Sequence, residues 1–373
     1  MHKINCNVIV MVRLLGFVFL AIATFSCKGQ ETENVPVGSM EQKELSDTVA
    51  IQPLVYQKPR ADTRHHSTLN GKVSEFIWQF FEDSLGNFWF GTNHDGIIMY
   101  DQKSLVNYRK VDGIGGNAVR AIKEDRDGGI WFGTSDGLTH FNGKEFINYT
   151  TKDDLINDEI WAVEIDPSGL LWIGTAGGVS KFNGKRFEDF MIPKPEVADA
   201  RPMLSADRVS DILIDDTGKV WFVNDGYGIT LYKDGRFEFL TAEYNLTDNN
   251  VADLYQDSRG DIWIGTFYGG VSKFNGETFR NFTSEGLLEG VEAYNFCEDR
   301  NGNIWFSAEN FGVYRYDGER FTRFSIEDGL ATNTIQSIYE DKKGQIWFST
   351  WSGISLYDGE GISDVAEKVL WAR

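Results

Sequence analysis

Residues that could bind or transform a ligand fall in short loops between predicted strands. Aromatic rings stand there beside carboxylate and amide groups, a combination suited to the apolar face and the hydroxyls of a sugar. The residue types in these loops differ from one loop to the next, whereas residues needed for the fold would be the same in each. The alternative is ordinary loop variation, in which Asp and Asn favour turns. The candidate binding residues are His94, Asp95, Asp136, Asp225, Tyr227, Phe267, Tyr268, Glu309, Asn310, Phe311 and Trp351.

Catalytic residues are harder to find. A lyase needs a base, commonly histidine, with an electrophilic group or a metal ion. His94 lies on a candidate loop, His140 lies in a predicted strand, and His65 and His66 precede the first repeat. The sequence shows no Ser-His-Asp order, metal-ligand cluster, phosphate-binding loop or paired carboxylates. We therefore predict no catalytic residue, no metal and no cofactor; a lyase reaction would have to use His94 and Glu309.

The chain is strongly acidic, with a formal net charge of −20. Its long-range field repels nucleic acids and polyanionic glycans, so these are not expected as general partners. A locally basic pocket is compatible with this field. Most of the charge is expected to serve solubility.

The candidate loops are positioned by an internal repeat, which is clearest at tryptophan. Seven tryptophans follow one another at spacings of 42, 41, 49, 42, 42 and 42 residues, each with a glycine three positions before it and an aspartate six positions before it. Each repeat contains four short alternating segments separated by turns about every 8–12 residues. This pattern predicts an all-β fold, a single seven-bladed β-propeller of four-stranded antiparallel blades spanning residues 51–360. The motif tryptophans are Trp89, Trp131, Trp172, Trp221, Trp263, Trp305 and Trp347.

The repeated residues have a structural explanation. Each motif tryptophan is predicted to pack between adjacent blades, with an aromatic residue ten or eleven positions later, and not to bind ligand. One aspartate per blade cannot gather the roughly 6–8 oxygens that Ca²⁺ prefers, so the aspartates are interpreted as turn-stabilising residues. The paired aromatic residues are Tyr100, Phe141, Phe182, Tyr232, Phe274, Tyr316 and Tyr357.

The N-terminus resembles an export signal. A short basic segment and an apolar stretch of about a dozen residues fit a signal-peptide core and are too short to span a bilayer. Ser26-Cys27 at its end resembles a bacterial lipoprotein cleavage site of the Bacteroidetes type, so Cys27 is the predicted lipidation site. An ordinary cleavable signal is the alternative. We predict a signal peptide over 1–26 and a disordered acidic tether over 27–50. The protein is expected to be exported and anchored by lipid in the periplasm, at the outer membrane or at the cell surface. Cys297 would then be the one remaining cysteine, so no disulfide is expected.

Two segments depart from the repeat. Blade seven lacks the expected fourth strand, so residues 51–56 are predicted to complete it, and residues 361–373 are predicted to form a tail with a short helix from Ser363. The spacing of 49 residues places seven extra residues, rich in proline, between Phe190 and Asp207. A lid, a docking loop and a tolerated insertion are all compatible with this segment.

The repeat resembles a known family. The run from Gly329 to Ile354, and Trp131-Phe-Gly-Thr134 with Gly137-Leu138, are similar to the two-component regulator propeller repeat, and the resemblance covers about residues 70–359. In that family the repeats form the periplasmic sensor of hybrid histidine kinases that detect glycan fragments. The kinase, the membrane span and the second propeller of such sensors are missing here, so the resemblance implies a recognition module without phosphotransfer of its own.

The expected function is that of a non-catalytic, sensor-like, ligand-binding propeller lipoprotein of the bacterial envelope. Its expected partner is a glycan or another small extracellular ligand on the loop face, and its only expected membrane contact is the lipid anchor. A docking scaffold for an envelope protein is one alternative, and a propeller-type lyase is another.

Overall fold

In the computed structural model, which describes residues 76–351 and 353–365, strands form seven four-stranded antiparallel sheets. The strands of blades one to four are β1 (Ile77–Glu82), β2 (Phe88–Thr92), β3 (Ile97–Tyr100), β4 (Leu105–Tyr108), β5 (Val119–Glu124), β6 (Ile130–Thr134), β7 (Gly137–Phe141), β8 (Phe146–Tyr149), β9 (Ile160–Ile165), β10 (Leu171–Thr175), β11 (Gly178–Phe182), β12 (Phe187–Phe190), β13 (Val209–Ile214), β14 (Val220–Asn224), β15 (Gly228–Lys233) and β16 (Arg236–Leu240). Those of blades five to seven are β17 (Val251–Gln256), β18 (Ile262–Thr266), β19 (Val271–Phe274), β20 (Phe279–Asn281), β21 (Ala293–Glu298), β22 (Ile304–Ala308), β23 (Gly312–Tyr316), β24 (Phe321–Phe324), β25 (Ile335–Glu340), β26 (Ile346–Thr350), β27 (Gly353–Tyr357) and β28 (Ile362–Asp364).

The first strands of neighbouring blades contact one another in a closed circle, in which β25 of blade seven meets β1 of blade one. The predicted all-β, seven-bladed propeller is therefore confirmed. Four connections between blades contain a single 3-10 turn, at Lys110–Asp112, Thr151–Asp153, Ala242–Tyr244 and Ile326–Asp328.

The turns between first and second strands share one hydrogen-bond pattern. In blade six, Asp299 Oδ1 accepts from the backbone N–H groups of Asn301 and Asn303, both at 2.9 Å. Its Oδ2 accepts from Trp305 Nε1 at 2.9 Å, and Gly302 takes the positive φ of +78° that the turn requires. The two backbone bonds recur in all seven blades, and the indole bond recurs in six. The aspartates therefore stabilise turns, as predicted.

The motif tryptophans lie between blades, as predicted. All seven are buried, and Trp305 is 0% exposed. In blades one to six the indole packs against the paired aromatic residue of the following blade; Trp305 lies 5.2 Å from Tyr357 between ring centroids. Trp347 of blade seven closes the ring by packing on Phe80 and Phe88 of blade one, at 5.4 and 5.5 Å. Burying one such indole contributes at most about 4–6 kcal/mol of transfer free energy.

Blade seven is completed from the C-terminal side, and the prediction of a helix from Ser363 is wrong. Strand β28 pairs with β27 through Ile362 opposite Tyr357, and Val365 is buried and donates its backbone N–H to Ile354 O at 2.8 Å. Ser363 lies in β28, so no helix begins there, and residues 366–373 lie outside the described residues. Residues 51–56, which were predicted to take this place, lie outside the described residues.

The predicted signal peptide, tether and Cys27 also lie outside the described residues and stay predictions. Within residues 76–351 and 353–365, no helix has the length and apolar character needed to cross a bilayer.

Candidate ligand-binding site

The loops between second and third strands lie at the end of the ring where the first strands begin. In six blades the pairing of the first and second strands skips the second residue of the first strand, a β-bulge that re-aims that side chain. In blade six the irregularity follows Tyr294. We call this end of the ring the channel mouth. We call the second positions of the first strands the bulge positions, although Tyr294 of blade six itself pairs with Ser307. The residues at these positions are Trp78, Arg120, Trp161, Ser210, Ala252, Tyr294 and Gln336.

An arginine–tryptophan–arginine cluster occupies the mouth at blades two to four. The guanidinium carbon of Arg120, from blade two, lies 4.1 Å from the ring centroid of Trp161, and that of Arg208, at the start of blade four, lies 4.5 Å from the same ring. Arg120 Nη2 lies 3.3 Å from Glu159 Oε1, and Arg208 Nε lies 3.1 Å from Asp225 Oδ2. Burial lowers the pKa of Arg120, and the charge of Arg208 lowers it further, while Glu159 opposes this.

Several donors of this cluster have no acceptor. Arg120 Nη1 and Trp161 Nε1 are buried without a hydrogen-bond partner among the described residues. The Arg208 Nε–H is in the same situation, because its contact with Asp225 is close enough for an ion pair but does not have hydrogen-bond geometry. Arg and Trp side chains offer only donors, so an acceptor must come from outside the cluster.

Aromatic residues line the mouth at blades one and seven. Trp78 Nε1 donates to Asn93 Oδ1 at 3.1 Å, and its ring lies 5.1 Å from Phe76. Phe76 in turn lies 5.4 Å from Trp351, whose side chain is 54% exposed. The predicted residue Trp351 is therefore part of an aromatic surface that continues to the mouth.

Blade six gives the mouth an acidic side. The Tyr294 hydroxyl donates to Glu309 Oε2, and Glu309 Oε1 lies 3.5 Å from the Thr334 hydroxyl. Burial raises the pKa of Tyr294, and its hydrogen bond to Glu309 raises it further. Burial and the charge of Glu309 also raise the pKa of Glu292. The predicted residue Glu309 is thus placed at the mouth.

Asp225 is at the mouth but has a structural task. Its oxygens accept from the backbone N–H groups of Met203, Leu204 and Ser205 at 2.8–3.2 Å, in addition to the contact with Arg208. The proline-rich segment before blade four is therefore held against the loop that carries Asp225.

The rest of this segment reaches towards blade five. Arg201 Nη2 lies 2.8 Å from Asp248 Oδ2, and its guanidinium carbon lies 5.2 Å from the ring of Tyr268. Lys194 contacts both Asp207 and the ring of Tyr227. The predicted residues Tyr227 and Tyr268 therefore contact the segment.

Other predicted residues lie away from the bulge positions. Asp95 forms an ion pair with Arg109 at 3.1 Å, and Asp136 forms one with Lys110 at 3.3 Å. Arg109 and Lys110 both lie in the connection between blades one and two. His94 is exposed, with Nε2 3.0 Å from the neighbouring amide of Asn93.

In blades five and six, Phe267 is half-buried, Asn310 adopts a positive φ of +65°, and Phe311 packs against the hydrophobic core. His140, which was expected in a strand, lies in β7 and is half-buried. It stacks on Trp131 at 4.0 Å and contacts Asp125 Oδ2 at 3.2 Å, which places it in the turn structure of blade two.

Two carboxyl groups line the ring below the mouth. Asp211 Oδ2 accepts from the backbone N–H of Leu254, and Asp253 Oδ2 accepts from that of Phe296, both at 3.0 Å. Burial and the charge of Asp253 raise the pKa of Asp211, and burial raises that of Asp253. Each side chain ties its blade to the next. Among the described residues, no group of three or more His, Cys, Asp or Glu side chains is arranged to hold a metal ion.

Sequence reasoning missed Trp78, Arg120, Trp161, Arg208 and Tyr294. A signal for two of them was present: Trp78 and Trp161, like Trp351, are tryptophans outside the repeat motif. The two arginines carried no such signal, because a regular alternating strand places them on a solvated face.

Six segments of the chain match the family model of the two component regulator propeller, at residues 71–94, 113–136, 154–177, 245–268, 287–310 and 329–352. Each match ends at or next to a loop between second and third strands. Blade four, which follows the proline-rich segment, contributes no match.

Solved structures share the fold at low sequence identity. The extracellular domain of a candidate hybrid two component system, BT3049 from B. thetaiotaomicron, is 21% identical with a TM-score of 0.64, over 78% of this chain and 41% of that one. PorZ from Porphyromonas gingivalis, an essential bacterial surface component of the type-IX secretion system, is 15% identical with a TM-score of 0.61, over 77% and 47%. A streptogramin B lyase is 14% identical with a TM-score of 0.60, over 76% and 93%.

These similarities show the propeller fold alone. The chain spans about two fifths of the two-component extracellular domain that it resembles. No curated protein sequence matches it.

Proposed function

Six of the seven blades contain a segment that matches the two component regulator propeller, and on that premise we propose that the chain is a sensor-like, ligand-binding propeller of the bacterial envelope. Its ligand is a small extracellular molecule, such as an oligosaccharide, that binds at the channel mouth. The protein has no catalytic role in this proposal.

The uneven chemistry of the channel mouth supports the proposal. Tryptophan, arginine, tyrosine, serine, alanine and glutamine occupy the second position of the first strands, although the first and fourth positions of the same strands are apolar in all seven blades. Packing between similar blades favours similar residues at equivalent positions, so the variety of residues at the second position needs another cause. Large aromatic rings beside polar groups at the end of a channel are typical of small-molecule sites.

A glycan array with the purified protein tests the proposal. We expect Trp78→Ala and Trp351→Ala to weaken the binding of the glycans that the wild type retains. Tyr244→Ala is the matched control, because Tyr244 is 65% exposed and follows the outermost strand of blade four. Retention of every signal in both tryptophan variants, or equal loss in the control, would argue against a site at the mouth.

The envelope location is proposed from the signal-like N-terminus and Cys27. Metabolic labelling with a fatty-acid analogue should label the wild type and Cys6→Ser but not Cys27→Ser. Labelling of Cys27→Ser, or export of an unlabelled wild type, would favour an ordinary cleavable signal.

A docking scaffold is the second candidate, because the proline-rich segment exposes apolar side chains. Met203 and Leu204 are exposed although Asp225 holds their backbone in place. Mild cross-linking in cells followed by purification should recover a partner of the wild type that Met203→Ser with Leu204→Ser does not recover. Equal recovery with the double variant would exclude this segment as the docking surface.

A further inference from the structure

The arginine–tryptophan–arginine cluster lacks acceptors rather than donors. Arg120 Nη1, Arg208 Nε and Trp161 Nε1 are buried without a hydrogen-bond partner in the described part of the chain. The side chain of Arg208 is 7% exposed, so bulk water has little access to it. Buried polar groups without partners destabilise a folded protein, so the three donors around Trp161 need an acceptor that the described residues do not supply.

The bound group must bring oxygen acceptors, and a negatively charged acceptor suits the two guanidinium groups best. Two carboxylates contact the cluster, but Asp225 also accepts from three backbone N–H groups, and the side chain of Glu159 is 42% exposed to water. Burial lowers the pKa of Arg120, Glu159 opposes this, and the charge of Arg208 lowers the pKa further. A planar guanidinium recognises an oxyanion through two parallel hydrogen bonds, and an anion relieves the repulsion between the two arginines.

The opposite side of the mouth repels the same group. Glu292 and Glu309 of blade six stand three blades away from Trp161, and burial together with the charge of Glu309 raises the pKa of Glu292. An anion entering the mouth is therefore directed to blades two to four, while the uncharged part of the ligand faces Trp78 and Tyr294.

We propose that Arg120, Trp161 and Arg208 form an oxyanion subsite, which takes a carboxylate or sulfate group of the ligand at the channel mouth. The subsite rests on the proposed ligand-binding function and specifies the chemistry of its ligand. An oxyanion subsite would also explain why two arginines lie together at the mouth of a protein with a net charge of −20.

Thermal melting with paired probes tests the subsite. Glucuronate and inorganic sulfate are compared with glucose at constant ionic strength. We expect both anions to raise the melting temperature of the wild type by mass action, and glucose to raise it less. Arg120→Gln should weaken the binding of both anions about tenfold or more, as expected for the loss of charge-assisted hydrogen bonds.

Arg120→Lys keeps the charge but loses the planar fork, so its affinity should fall between those of the wild type and Arg120→Gln. It also serves as the test variant should Arg120→Gln not fold. Arg186→Gln is the matched control: Arg186 is an exposed arginine at the outer edge of blade three, and its removal should change nothing.

Equal anion effects in the wild type and Arg120→Gln, or an equal loss in Arg186→Gln, would overturn the subsite. Binding of a neutral ligand that Trp78→Ala abolishes and Arg120→Gln leaves intact would overturn the subsite and keep the proposed function. Absence of any anion effect on the wild type would overturn the subsite, and glycan binding would then be judged by the tryptophan variants alone.

Discussion

The two ends of the ring follow different rules. At the turn end, where the first and second strands of each blade are joined, one aspartate accepts hydrogen bonds from the backbone of its own turn. In six blades it also accepts one from the buried indole that follows. At the channel mouth, equivalent positions carry unlike residues, and each makes contacts of its own. The turn end repeats because seven blades must meet their neighbours in the same way. The mouth is free of that demand, so its residues can differ and serve recognition.

Blade four is an exception, because a residue at its end of the channel mouth has a structural role. It alone lacks a match to the repeat model, and its loop residue Asp225 is buried and bonded to the backbone of the preceding segment. A residue at the mouth can therefore be structural, and position on that face does not by itself indicate binding.

The largest expected effect comes from a buried indole. Trp305→Ala should lower the free energy of unfolding by about 3–5 kcal/mol, because it leaves a cavity between blades six and seven. Trp351→Ala, at the mouth, should cost less than about 1 kcal/mol. Urea denaturation measures both, and similar losses would remove the distinction between the two ends.

Asp225→Ala should behave like a substitution at the turn end. It leaves Arg208 buried without its carboxylate and releases three backbone N–H groups, so we expect a loss of about 3 kcal/mol or more. Asp136→Ala, whose carboxylate forms an exposed pair with Lys110, should cost less than about 1 kcal/mol. A small effect of Asp225→Ala would show that the proline-rich segment is not held by this residue.

The turn aspartates allow a matched pair. Asp215→Ala removes two backbone bonds, the bond from the Thr217 hydroxyl and one indole bond, and it should cost about 1–3 kcal/mol. Asp166→Ala removes two backbone bonds and the bond from the Ser168 hydroxyl but no indole bond, because Trp172 Nε1 has no hydrogen-bond partner among the described residues. The loss in blade three should be smaller by about 1 kcal/mol. Equal losses would mean that the indole bond contributes little.

The last effect depends on pH and concerns the two aspartates that line the ring below the mouth. Burial and Asp253 raise the pKa of Asp211 to about 8, so the folded state keeps a proton that the unfolded state releases near pH 4. Stability should therefore fall as the pH rises from about 4 to about 8. Asp211→Asn cannot titrate, so it should melt a few degrees above the wild type at pH 8, and the difference should shrink towards pH 4. Parallel melting curves at every pH would contradict the raised pKa.

The repeat made the blades predictable, because an aspartate, a glycine and a tryptophan at fixed spacing form a local unit that carries its own turn. Glu309 and Trp351 were found for the same reason, since the repeat locates every loop. Arg120 was missed because a bulge turns the second residue of its strand towards the mouth, and a regular alternation places it on a solvated face. The end of blade seven was misread because a three-residue strand is too short to show a period.

The amino-acid sequence alone determined the number of blades, the turn structure and the interblade tryptophans, because these depend on spacings within about 42 residues and on packing that repeats. The tertiary structure decided which side chains meet at the mouth. Arg120, Trp161 and Arg208 come from three successive blades, and no sequence pattern within one blade predicts that their side chains contact one another. Closing the ring brings them together, and burial then leaves their donors in need of an acceptor.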